Sequence, residues 1–281
     1  MIFEQTLIDF KRRHRSVPIL IIIPVSSSAQ VIADMTGQLI EFSNLFGHGK
    51  VLISIGVGVG EDEDLYSQVT ATSKALHDSS VMHRVQHMDD DPDIWTQRTL
   101  LGYMTDFEAA VVLRGVTCAT DLVRLVIHSI ENDADLTCAL DLSFSSNHLI
   151  ISNPNNLDYT SRTPVPSEDL LHSRQFVQVG CCDGAVKVVS FKSFRRGGLL
   201  HSLCQRTKVC PEEKSSVGVC NHLHEECGSS AKIMISPSVK SSWDPDDFRS
   251  AIQLGFTDLQ GYDYRSLAWK ENEKWSSKAC Y

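Results

Sequence analysis

Three features of the sequence predict an α/β fold with a mostly parallel central sheet and helices on both faces. Strand-like and helix-like segments alternate through the first half of the chain. The first strand-like run, Ile19 to Ile23, is apolar throughout, as a parallel strand covered on both faces must be. Short clusters of turn and cap residues separate the segments, and alternation at this spacing is the signature of βαβ units.

The elements follow in order. After Ile19–Ile23, Ser26 to Ser28 supply turn and cap chemistry for a helix from about Gln30 to Asn44. Gly47-His48-Gly49 breaks the chain, and Val51 to Val59 reads as the second strand. Glu61 to Asp64 favour the start of a helix whose Leu65, Val69, Thr72 and Leu76 recur at helical spacing. Val81 to His87 and Ala109 to Leu113 are the third and fourth strands. Thr120-Asp121 caps a helix with Val123, Val126, Ile127 and Ile130 on one face, and Leu136 to Leu142 is a fifth strand.

Beyond Asn147 the texture changes to loop punctuation, Asn153-Pro154-Asn155-Asn156 and Thr163-Pro164-Val165-Pro166. Phe176 to Gly180 and Ala185 to Val189 are short β-rich pieces, and Asp183-Gly184 between them predicts a hairpin turn. Ile233 to Ile235 reads as a last strand and Pro245 onward as a helix. The expected division is a basic N-terminal segment (1–17), a core half (18–145), a second half of the same domain (146–256) and a tail (257–281).

Composition limits the function classes. The 281 residues carry 26 Lys and Arg against 35 Asp and Glu, a net charge of −9, which argues against a binder of nucleic-acid backbone. The longest apolar run, Val17 to Val25, is interrupted by prolines and falls short of the roughly 20 residues a spanning helix needs. Met1 to Ser16 has no apolar core and so does not read as a signal peptide, and there is no Asn-x-Ser/Thr sequon. Lys11-Arg12-Arg13-His14-Arg15 suits either the flank of a membrane anchor or a solvated helix. Of nine cysteines, Cys204, Cys210, Cys220 and Cys227 crowd one segment, where disulfides or buried thiols fit better than zinc spacing.

Isolated motifs point to a fold without an activity. Gly56-Val57-Gly58-Val59-Gly60 lacks dinucleotide-loop spacing and is followed by acids that repel phosphate; a strand that must run close to neighbouring backbone explains it better. Asp133-Ala134-Asp135 has the two carboxylates of a metal–diphosphate motif, but it opens a strand instead of closing one, so a helix-to-strand turn is favoured. Asp89-Asp90-Asp91-Pro92-Asp93 reads as a solvated loop and helix start.

Taken as a series, these segments resemble the fungal capsule-associated α-1,3-mannosyltransferase family, in order and spacing over about residues 18–248. Val51-Leu52-Ile53-Ser54-Ile55 with its glycine-rich turn resembles the family's Val-Phe-Val-Ser-Ile-Tyr-Glu-Ser-Gly-Ser segment. Val111-Val112-Leu113 followed by Thr120-Asp121-Leu122 resembles its strand, Asn-Asp-Val turn and helix. Cys138-Ala139-Leu140-Asp141 resembles Cys-Ala-Leu-Asp-Phe, and Tyr159-Thr160-Ser161-Arg162 a Thr-Arg-Asp loop. Val177-Gln178-Val179 through Cys182-Asp183-Gly184 resembles Gln-Val-x-Ser-Cys-Trp-Asn-Gly. Glu226-Cys227 resembles Ser-Glu-Cys, and Ser236-Pro237-Ser238-Val239-Lys240 resembles Asn-Pro-x-Val-Arg.

The resemblance implies a Rossmann-like GT-A glycosyltransferase core, GDP-mannose or another nucleotide sugar as donor, a mannose-containing glycan as acceptor, Mn²⁺ or Mg²⁺ as cofactor, and the Golgi lumen as setting. It puts Ser54, Asp62 and Arg114 towards the nucleotide, Arg162 and Glu226 towards sugar or acceptor, and Asp141 and Asp183 in catalytic positions. The departures bear on chemistry. Arg114-Gly115 stands where the family has Asn-Asp, so the metal-binding acid is absent, and Val57 stands for its Glu. Neither residue of the family's Arg-Asn pair occurs near Tyr103-Met104-Thr105, and Thr163 stands for the Asp after Arg162. An apolar framework kept while pocket charges are lost suggests either divergent catalysis, with the Arg114 guanidinium meeting the diphosphate directly, or a non-catalytic binding or assembly module with a protein partner or self-association.

Overall fold

The computed structural model describes residues 2–14, 17–25, 29–58, 63–89, 91–145, 148–151, 177–179, 182, 184–192 and 231–253. Helix α1 (Ile2–Arg13) leads to β1 (Ile19–Val25), α2 (Ala29–Phe46), β2 (Val51–Gly58), α3 (Glu63–Asp78), β3 (Met82–Met88), α4 (Pro92–Tyr103), β4 (Ala109–Leu113) and α5 (Ala119–Glu131). Then come β5 (Leu136–Ser145), β6 (His148–Ile151), β7 (Val177–Gln178), β8 (Val186–Ser190), β9 (Ile233–Ser241) and α6 (Pro245–Gln253).

These strands form one sheet in the order β3-β2-β1-β4-β8-β5-β9-β7, with β6 paired on β5. Strands β1, β2, β3 and β4 are mutually parallel, as are β5 and β9. Strand β8 is antiparallel to both β4 and β5, so all six of those strands point the same way. All seven residues of β1 are buried, and they feed two cores. Ile19, Ile21 and Ile23 pack with Phe10 of α1, Leu39 and Phe42 of α2, Leu65 and Val69 of α3, and Val123 and Val126 of α5. Leu20 and Ile22 face the opposite layer, with Trp95 and Leu100 of α4 and Ala251 of α6. Helices therefore cover both faces, and the α/β architecture is the predicted one.

Local expectations hold closely in the first half. The buried residues of α3 are Leu65, Val69, Thr72 and Leu76, the set its periodicity singles out. Asp91 caps α4 by accepting from Asp93 N at 2.8 Å, with Pro92 in the first turn. Asp133 sits in the predicted turn at φ 51°, and the Asp135 carboxylate accepts from Lys232 N at 2.6 Å, so neither acid reaches the carboxyl edge. Gly56 leaves room for side chains instead of backbone: a Cβ there would lie 2.7 Å from Met88 Sδ and 2.8 Å from Trp95 Cη2.

Three expectations need correction. Cys118 caps α5, and Thr120 and Asp121 lie inside its first turn; the Asp121 carboxylate is buried and binds Arg124 and Lys240 N instead. The pieces flanking Asp183-Gly184 form no hairpin, because β8 is drawn between β4 and β5 while β7 pairs with β9. The last strand runs on to Ser241, carrying Pro237 at a register shift opposite Ala139 and Leu140. No helix among the described residues is long and apolar enough to cross a membrane.

A disulfide joins Cys138 of β5 to Cys182, and Cys118 is disulfide-bonded as well. The Cys138–Cys182 bond closes a loop of sequence separation 44, which restricts the unfolded chain. Replacing both cysteines by alanine is expected to lower the unfolding free energy by roughly 2–4 kcal/mol, read from chemical denaturation. An unchanged midpoint would show that the bond adds nothing.

Candidate functional site at the carboxyl edge of the sheet

Open α/β sheets bind ligands beyond the carboxyl ends of their strands, where the strand order reverses. Here β1 and β4 are neighbours, with β2 and β3 continuing to one side of them and β8 and β5 to the other. Immediately after β4, Arg114 to Val116 cross this edge. Arg114 N donates to Ala185 O at 2.8 Å, and Val116 exchanges two backbone hydrogen bonds with Ser242, at 2.8 and 3.1 Å.

Two residues singled out in the sequence are brought together here. Ala185 accepts from Arg114 N through its carbonyl and donates its own N–H to Asp141 Oδ2 at 2.8 Å. Asp141 is fully buried, and its carboxylate also accepts from Ser241 Oγ and from Trp243 Nε1 at 3.1 Å. Trp243 itself is 43% exposed.

The Arg114 guanidinium extends to Asp93 in the first turn of α4, donating from Nη2 to Oδ1. Their side chains are 17% and 22% exposed, so the pair is largely shielded from water. Arg114 Nε is buried and has no hydrogen-bond partner among the described residues. Next to it, Gly115 has no room for a side chain: a Cβ would lie 2.1 Å from Ser242 O and 2.7 Å from Ala185 Cβ.

Ser54 lies apart from this cluster. It is fully buried in the middle of β2, where its hydroxyl accepts from Arg84 Nε at 3.2 Å, and Arg84 stacks over Tyr103 with 4.4 Å to the ring centroid. Asp62, Arg162, Asp183 and Glu226 lie outside the described residues. Asp93, Ser241, Ser242 and Trp243 carry no signal in the sequence beyond an acidic helix start and an isolated aromatic. Only long-range pairing puts them in the site.

The described residues do not suit the Mn²⁺ or Mg²⁺ implied by the resemblance. A hard cation needs several oxygens, and no group of three or more His, Cys, Asp or Glu among them is placed to hold one. At the strand end where an acid would face the ion, Arg114 puts a cation, and Gly115 is closed against Ser242.

A second polar cluster joins α5 to β9. His128 of α5 is hydrogen-bonded to Ser236 Oγ through Nδ1 at 2.9 Å. Burial, with Arg124 nearby, lowers its pKa to about 4. In the unfolded chain the imidazole titrates near 6.5, so the stability from its neutral form is present above that pH and is lost as pH falls towards 4. Between pH 7 and 5 the loss is about 2 kcal/mol. The comparison is urea unfolding of the native chain and His128→Gln, with the substitution expected to flatten this part of the profile; parallel profiles would contradict the assignment.

The layers and the strand order are those of a GT-A-like, Rossmann-type fold. A mannosyltransferase from Pyrobaculum calidifontis, solved in complex with GDP-Man and Mn²⁺, superimposes with a TM-score of 0.51 at 9% identity, covering 85% of this chain and 68% of that one. A 4-diphosphocytidyl-2C-methyl-D-erythritol synthase from Anaerococcus prevotii covers 85% of this chain and 99% of its own, at a TM-score of 0.48 and 9% identity. No protein-family model and no curated protein matches the sequence.

Proposed function

We propose that this chain binds a nucleotide sugar, with GDP-mannose as the donor, and is a divergent relative of the fungal capsule-associated α-1,3-mannosyltransferases. The observation that carries this reading is the clasp at the carboxyl edge. Arg114 and Asp141 come from two separate motif segments, and Ala185 holds them side by side at the switch point of a transferase-type sheet. The bonded cysteines, Cys138 and Cys182, also come from two of those segments. Disulfides persist in oxidising compartments, which supports the lumenal setting that the resemblance implies.

In this reading Arg114 meets the diphosphate and the exposed Trp243 meets the sugar or acceptor glycan. Asp62, Asp183, Arg162 and Glu226 remain candidates for donor and acceptor contacts. Calorimetry with GDP-mannose, GDP and UDP-glucose tests the proposal. Binding of both guanine nucleotides with weaker UDP-glucose binding is expected, and no guanine-nucleotide binding would sink it.

A second reading, a non-catalytic module on the same fold, is favoured by the burial of Asp141, whose two oxygens are engaged by three donors of the chain itself. It predicts normal folding without nucleotide affinity, together with self-association or a protein partner. GDP release from GDP-mannose above the uncatalysed rate would eliminate it.

A further inference from the structure

We propose that Arg114 supplies, without a metal ion, the positive charge that neutralises the donor diphosphate, and that Asp93 occupies this cation until the diphosphate displaces it. The inference rests on the nucleotide-sugar reading and goes further, by naming what takes the place of the divalent cation and what guards it.

Position is the first support. Arg114 is the residue directly after β4, at the switch point beside β1, and its backbone is tied to Ala185. A diphosphate in the crevice needs a cation there, and Gly115 has no space for the acid that would recruit a metal. A guanidinium meets phosphate oxygens through two parallel N–H bonds, a geometry that Lys does not offer.

The second support is the state of the guanidinium. Asp93 engages it at Nη2, while Nε stays buried and unpartnered among the described residues. A buried donor without an acceptor is uncommon in folded proteins, and here it lies on a side chain at the ligand edge. Asp93 presents a carboxylate oxygen to the guanidinium, as a phosphate would.

The third support is local charge. Asp91 and Asp93 both stand at the start of α4, where the helix dipole would otherwise favour an anion. Without Arg114 that helix end repels a diphosphate. With Arg114 but without Asp93, it attracts one. The two residues therefore act in opposite directions on the same ligand, an outcome that a purely structural ion pair would not produce.

Calorimetry with GDP and with inorganic pyrophosphate, each in EDTA and in Mn²⁺, reads this directly on the native chain, Arg114→Gln and Asp93→Asn, with thermal melting to confirm folding. Native binding is expected to agree within about twofold between EDTA and Mn²⁺. Arg114→Gln is expected to weaken GDP about 10- to 100-fold, the scale of a charged hydrogen bond, and Asp93→Asn to tighten it several-fold. If Arg114→Gln fails to fold, the Asp93→Asn arm still decides. GDP binding that requires Mn²⁺ would overturn the inference and leave the nucleotide-sugar reading standing. Weaker binding by Asp93→Asn would overturn the guarding role, and no nucleotide binding in either condition would overturn both readings.

Discussion

Asp141→Ala is expected to destabilise the folded chain by about 4 kcal/mol. The carboxylate is fully buried and accepts from Ala185 N, Ser241 Oγ and Trp243 Nε1, fastening β5 to the entry of β8 and the end of β9. Hydrogen bonds to a charged acceptor contribute about 1.5–3 kcal/mol each, and deleting the acceptor leaves donors without partners. The full sum is not reached, because the variant no longer desolvates a carboxylate and Trp243 can turn to water. Against a typical total of about 5–15 kcal/mol the remaining loss is large, and it corresponds to roughly 8–16 °C in melting temperature. Asp141→Asn should lose less, since its amide oxygen keeps one acceptor. If Asp141→Ala melts within a degree or two of the native chain, the clasp does not carry stability.

Gly115→Asp reinstates the acid that the resemblance implies after β4, and it is expected to fail. The new Cβ would lie 2.1 Å from Ser242 O, with Ala185 Cβ at 2.7 Å, and neither obstacle is the flexible end of a long side chain. Backbone must move by about 1 Å, which breaks the paired hydrogen bonds between Val116 and Ser242 and places a carboxylate against a carbonyl oxygen. Overpacking ordinarily costs about 1–3 kcal/mol, and the lost bridge and repulsion raise the total to about 4 kcal/mol or more. The expected result is little soluble protein, a strongly lowered melting temperature, and no stabilisation by Mn²⁺. A stable Gly115→Asp chain whose melting temperature rises with Mn²⁺ would show that the edge can still form a metal site.

The two predictions share a cause: the end of β9 has closed over the position a metal-binding acid would need. That closure accounts for the glycine at position 115. Arg114 and Gly115 are neighbours, one supplying charge and the other yielding space.

Local patterns disclosed the first half of the fold, because β1 to β4 and their helices are assembled from contacts that hydrophobic periodicity encodes. Ala109–Leu113 is a strand over the bounds expected, and Leu65, Val69, Thr72 and Leu76 line the buried face of α3. The second half resists such reading. Asp-Gly is a hairpin signal, but β8 instead pairs with β4 and β5, segments far from it in the chain. The site was partly legible. Arg114 follows β4 directly, as its place after an apolar run suggests, whereas Asp141 lies inside β5, which runs on to Ser145, at the last residue paired with β9. Asp93 lies in an acidic run that reads as a solvated helix start, and only the fold turns one of its carboxylates towards Arg114. Ser54 has the opposite history: placed near the nucleotide by the motif series, it lies buried inside β2 against Arg84.

The most direct measurement is a crystal structure of the chain with GDP in the presence of EDTA. The diphosphate is expected at the carboxyl ends of β1 and β4, within hydrogen-bond distance of the Arg114 guanidinium, with Asp93 turned away from it. GDP bound elsewhere on the molecule, or bound in this crevice with Arg114 still on Asp93, would contradict that expectation.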